Sequence, residues 1–148
     1  MDRQEQIDFL LDHFQNPRNQ GQLDPADVTM PGGNPGCGDI VTIYLNVDRA
    51  SERISAVSFE GEGCTISQAA ASILLEDMAG KPLGEVDMLD YNEMIDQLGR
   101  EIVNTRPRCA TLALGTLKAA VKKYRIDRRR ESGDPTAAID GVPASFEA

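Results

Sequence analysis

The groups in this chain whose types and placing could do chemistry are three thiols and one carboxylate: Cys37, Asp39, Cys64 and Cys109. Cys37 and Asp39 share the loop Asn34-Pro-Gly-Cys-Gly-Asp39. Cys64 follows Gly61-Glu-Gly, and Cys109 follows Arg106-Pro-Arg. Gly36 and Gly38 let that loop turn tightly enough for ligands to come close to one centre. Three thiolates with one carboxylate suit tetrahedral zinc. They also suit a [2Fe–2S] cluster, which normally takes four thiolates and is held less tightly when one ligand is oxygen. No C-x-x-C pair is present, which excludes a local zinc finger. On spacing alone, three unrelated buried cysteines is an equally good reading, because free cysteine is commonly buried.

The elements that must position these groups can be read from apolar periodicity. Residues 3–15 predict a helix, with Ile7, Leu10, Leu11 and Phe14 on one stripe and His13 just off it. His13 reads as a structural or surface residue rather than a ligand. Asn16-Pro17 ends the helix, and a long Gly-, Pro- and Asp-rich connection follows to residue 35. Loops of that length are usually functional or docked. Val41, Ile43, Leu45 and Val47 alternate with Thr42, Tyr44 and Asn46, which is a strand of period two. A polar turn at 48–52 leads to a second strand over 53–60, so the two make an antiparallel hairpin. Residues 25–33 carry a weaker strand pattern. A helix is expected from Ser67 to Ala79, capped by Thr65 or Ser67 and stopped by Gly80 and Pro82. One or two more helices fall in 85–103, and a final helix runs from Ala110 to about Tyr124, with Pro107 near its first turn. Residues 126–148 read as a flexible tail. Cys64 and Cys109 thus stand at helix starts, where partial positive charge and unused N–H groups favour a thiolate.

Composition narrows the function classes. A length of 148 residues suits one domain. No apolar run approaches the roughly 20 residues that span a bilayer. The start, Met1-Asp-Arg-Gln-Glu, lacks the basic and apolar segments of a signal peptide. The expectation is therefore a cytoplasmic protein, where thiols stay reduced. The net charge of −9 argues against nucleic acid and anionic membrane as partners.

The stretches Asn34-Pro-Gly-Cys-Gly-Asp39, Gly61-Glu-Gly-Cys-Thr-Ile-Ser-Gln-Ala-Ala-Ala-Ser72 and Arg108-Cys-Ala-Thr-Leu-Ala113 resemble the three cysteine motifs of the iron–sulfur scaffold family: IscU, SufU and the N-terminal domain of NifU. Leu11-Asp-His-Phe-Gln-Asn-Pro-Arg-Asn19 is similar to that family's N-terminal signature, and the resemblance covers about residues 3–124. It implies an α+β fold of the SufE/NifU-like kind, a small three-stranded antiparallel sheet with helices packed on one face. The scaffold domain would span 1–125. It implies a site of Cys37, Asp39, Cys64 and Cys109 that assembles a [2Fe–2S] cluster. Sulfur would come from a cysteine desulfurase as persulfide, with Cys109 or Cys37 as acceptor. The cluster would pass to apo-proteins or carrier proteins, and a homodimer could form around it. The alternative, implied by SufU, is a zinc-dependent sulfurtransferase that uses the same four residues.

Two departures bear on the site. IscU-type members carry His before the third cysteine and SufU-type members usually Lys, where this chain has Arg108. A guanidinium is always protonated and cannot ligate a metal. Arg108 could pair with Asp39 or stabilise a thiolate or persulfide on Cys109, and a plain surface charge is an equally good reading. Second, Val103-Asn-Thr-Arg-Pro-Arg108 stands where chaperone-assisted IscU members carry a Leu-Pro-Pro-Val-Lys motif. The interval from Cys64 to Cys109 lacks the SufU insertion, whereas the wording around Cys109 is SufU-like.

Overall fold

The computed structural model describes residues 2–34, 38–104 and 107–131. Helix α1 (Arg3–Gln15) begins at Asp2, whose carboxylate accepts the Glu5 N–H at 2.8 Å. Strands β1 (Val28–Asn34), β2 (Asp39–Asp48) and β3 (Arg53–Glu62) form one antiparallel sheet in that order. Helices α2 (Thr65–Met78), α3 (Leu83–Met88), α4 (Tyr91–Leu98), α5 (Arg100–Val103) and α6 (Pro107–Glu131) follow. This is the expected α+β architecture. The weak strand pattern at 25–33 is β1, which pairs Met30 with Ile43 and Asn34 with Asp39. Pro31 is tolerated there because β1 is an edge strand.

Alternation on β2 decides which face is covered. Asp39, Val41, Ile43, Leu45 and Val47 are buried, and the residues between them are partly or fully exposed. Helices α2 and α6 pack on the buried face. Helix α2 can approach closely because Ala69, Ala70 and Ala71 are all fully buried. Helix α6 meets β1 at Gly32, where an added Cβ would stand only 2.0 Å from Thr116 Oγ1. The long connection after α1 is docked. Gly21 N–H donates to Phe59 O and Phe59 N–H to Asn19 O, both at 2.8 Å, so residues 19–21 satisfy part of β3's open edge. Residues 80–83 cover another part through Ile54 N–H to Lys81 O and Leu83 N–H to Glu52 O. Among the described residues no helix is long and apolar enough to cross a membrane.

Three expectations need correction. The stripe on α1 is not Ile7, Leu10, Leu11 and Phe14: Leu10 and His13 are buried, while Leu11 and Phe14 are about 40% exposed. The helix is rotated so that Phe9, rather than Leu11, packs against the core. The N-cap of α2 is Cys64, with neither Thr65 nor Ser67 in that position and no hydrogen bond from a capping side chain. The last helix starts earlier and ends later than expected, at Pro107 and Glu131. Residues 126–131 therefore belong to α6 and not to a tail. Ile126 is buried beside Tyr124, and Arg128, Arg129 and Arg130 sit where cations favour a helix C-terminus. The remaining tail residues, 132–148, lie outside the described residues.

Candidate metal centre

Three elements deliver one ligand each to the same end of the sheet. Asp39 opens β2 with the same parity as Val41, so the pleat aims its carboxylate at the helix-covered side. Cys64 is the last residue before α2, and Cys109 is the third residue of α6. One carboxylate oxygen and the two Sγ atoms all lie within 4.8 Å of one another. Asp39 is 1% exposed and Cys109 fully buried, while Cys64 is partly exposed.

The carboxylate is held by one oxygen and presented by the other. Its Oδ1 accepts the Cys64 N–H at 2.9 Å, and Oδ2 stands 3.8 Å from Cys64 Sγ. The negative charge thus sits at the positive end of α2, which offsets part of the cost of burying it. Gly63 makes room: its φ is +148°, and an added Cβ would stand 2.1 Å from Asp39 Oδ1. Ser67 closes the turn by donating to Cys64 O at 3.0 Å, and its Oγ lies 3.9 Å from Cys64 Sγ. Gln68, one turn along α2, is nine-tenths buried and its Nε2 has no partner among the described residues.

The donor set fits a soft or borderline metal. Two thiolates bonded at about 2.3 Å to one tetrahedral centre stand about 3.8 Å apart. A separation of at most 4.8 Å is close to that without any rearrangement of the backbone. Both thiols stand at the N-terminal ends of helices, α2 and α6, where backbone N–H groups are unused by the helix. Only Asp39, Cys64 and Cys109 are brought together among the described residues; Cys37 lies outside them.

Arg108 does not pair with Asp39 among the described residues. It is exposed, and both carboxylate oxygens face Cys64. His13 is well away from ligand duty: its Nδ1 lies 2.7 Å from Ser72 Oγ, and its ring packs edge-on against Phe9. Sequence reasoning did not single out Gly63 and Ser67 as parts of the site. The Gly-x-Gly-Cys spacing was the available signal for Gly63, since a glycine directly before a ligand marks close approach of other atoms.

The NifU-like N-terminal domain family matches residues 5–131. An iron–sulfur cluster assembly scaffold protein IscU 1 of Archaeoglobus fulgidus is 34% identical over 131 residues, covering 85% of this chain and 84% of that protein. IscU of Aquifex aeolicus is 36% identical over 121 residues, covering 82% and 76%. Among solved structures, a putative cluster assembly scaffold protein of the SUF system from Fervidobacterium islandicum is 29% identical with a TM-score of 0.65, covering 76% of this chain and 93% of that one.

Proposed function

The chain belongs to the family of the NifU-like N-terminal domain, and from that premise we propose that it is a scaffold for iron–sulfur cluster assembly. The observation that carries this reading is the meeting of Asp39, Cys64 and Cys109 at the mouths of two helices. The cluster is cargo here, built and released. Cys64 and Cys109 supply thiolates, Cys37, two residues before Asp39 in the sequence, supplies a third, and Asp39 Oδ2 is the fourth and weakest ligand. An oxygen donor among thiolates suits a [2Fe–2S] cluster that must leave.

Sulfur arrives from a cysteine desulfurase. A scaffold thiolate attacks the outer sulfur of the donor's persulfide; a new S–S bond forms and the donor's own thiolate departs. Conversion of that sulfur to sulfide takes two electrons from an external reductant. Cys109 and Cys37 are the acceptor candidates. Cys109 Sγ is shielded from solvent, so a donor reaches it only when neighbouring chain moves aside. Apo-proteins or carriers then take the finished cluster.

Anaerobic reconstitution with ferrous iron and sulfide tests the scaffold reading. The expected result is a visible absorption spectrum of a [2Fe–2S] centre, at about one cluster per chain or per dimer. Loss of that absorption in Cys64→Ser and Cys109→Ser would tie it to the described thiols. Failure to hold iron and labile sulfide together would refute the reading. Stoichiometric zinc, with stimulation of a desulfurase lost in Cys37→Ala, would instead establish the sulfurtransferase, which the same thiolate-rich donor set can support.

A further inference from the structure

Charge in this chain is divided unevenly. Residues 107–131 carry eight of the chain's 15 Lys and Arg against two of its 24 acids, a formal +6, so the overall −9 leaves −15 on everything else. The positive charge is also shaped. A groove of about 320 Å³ lies between α3 and the C-terminal half of α6, lined by Lys118, Lys122, Arg125, Arg129 and Asp87. Asp87, on α3, organises it. The Arg125 guanidinium grips both Asp87 carboxylate oxygens, at 2.9 and 2.7 Å, and holds that carboxyl below the usual carboxylate range. Lys118 Nζ donates to Asp87 O at 3.4 Å and stands 5.8 Å from the centre of the Tyr91 ring. Lys122 is exposed at the same face. The five lining residues are four cations and one carboxylate, a formal +3 in an acidic molecule.

We propose that this groove is a docking face for an acidic protein segment, distinct from the metal centre. The dimensions favour a segment over a small anion: residues 118 to 129 extend about 16 Å along the helix, more than one phosphate spans. The chain's net charge of −9 gives no long-range attraction for a long polyanion such as nucleic acid. At physiological salt the screening length of about 8 Å leaves the local patch, rather than the net charge, to govern contact. The groove starts about 14 Å along α6 from Cys109. A partner held there leaves the thiol end of the helix open.

The test uses the full chain and a fluorescein-labelled octaglutamate peptide, read by anisotropy. The expected result is saturable binding at about 50 mM salt that weakens as salt rises. Lys122→Glu/Arg129→Glu should weaken it at least about tenfold, and Arg3→Glu/Lys81→Glu, an equal change of charge elsewhere, less than about threefold. Circular dichroism of both variants establishes that each is folded. No saturable binding, equal weakening by the two variants, displacement by submillimolar pyrophosphate, or tighter binding of a 20-base-pair duplex would each overturn the proposal.

Discussion

Helix α2 supports two buried polar clusters, one around Ser72 and one around Cys64, and they are finished to different degrees. At Ser72, the Arg18 N–H donates to Oγ at 2.8 Å and His13 Nδ1 lies at 2.7 Å. The pattern closes when the serine hydroxyl donates to a neutral imidazole. At Cys64, Asp39 Oδ1 accepts from a backbone N–H, and the nearest donor to Oδ2 among the described residues is the Cys64 thiol at 3.8 Å. Thiols are weak hydrogen-bond donors, so burial of a carboxylate against them is poorly compensated within the chain. Among the described residues the first cluster is closed by hydrogen bonds, whereas the second sets a carboxylate oxygen beside two soft sulfur ligands, a donor set that suits a metal. Ser72 ties α1 and its following turn to α2; Asp39, Cys64 and Cys109 are the proposed cluster ligands.

The sharpest way to break the second cluster is Gly63→Ala. A methyl group at 2.1 Å from Asp39 Oδ1 and a φ of +148° cannot both be accommodated. The expected cost is about 4 kcal/mol, with cluster loading lost even in the fraction that folds. Urea denaturation and iron analysis of the soluble protein check the two effects separately.

Ser72→Ala should be smaller and of a different kind. It leaves the Arg18 N–H and His13 Nδ1 without their partner in a fully buried position, at a cost of about 3 kcal/mol. Cluster loading per folded chain should not change, since Ser72 lies two turns of α2 away from Cys64. Reduced loading in the folded protein would contradict the division between the two clusters.

Asp39→Ala removes the acceptor of the Cys64 N–H and should cost about 1–2 kcal/mol in the metal-free protein. Its effect on cargo runs the other way: without the labile oxygen ligand the cluster should persist several-fold longer and transfer to an apo-acceptor more slowly. Transfer followed by circular dichroism in the visible range reads both rates. Faster loss with unimpaired transfer would refute the ligand role.

The smallest effect belongs to pH. Burial pushes His13 below its ordinary value, and the Arg18 cation pushes the same way, against weaker pulls from Glu76, Asp12 and Asp77. The imidazole therefore takes up a proton less readily in the folded chain than in the unfolded one. Its contribution is complete above the unfolded value of about 6.5 and is lost as pH falls below it, with a slope of at most about 1.4 kcal/mol per pH unit. Urea midpoints at pH 7.5 and 5.5 should differ, and His13→Gln should flatten the difference.

Much of this was legible in the sequence where period and chemistry agreed. The alternation from Val41 to Val47 gave β2 and its covered face, and the three cysteine motifs led to the two thiols that meet. Extending the same parity back by two residues would have placed Asp39 on the buried side as well. The α1 face was misread because Leu11 and Phe14 complete an apolar stripe, whereas the packing uses Phe9, Leu10 and a histidine whose partner is 59 residues away. Such a partner leaves no local mark. The end of α6 was missed for a related reason: three arginines resemble the start of a polar tail, yet they also suit a helix C-terminus.

Anaerobic purification followed by iron, zinc and acid-labile sulfide analysis tests the central claim most directly. After reconstitution, iron and labile sulfide are expected in about equal amounts in the wild-type protein, and neither in Cys64→Ser or Cys109→Ser. Stoichiometric zinc without labile sulfide, or unchanged iron and sulfide in both variants, would contradict it.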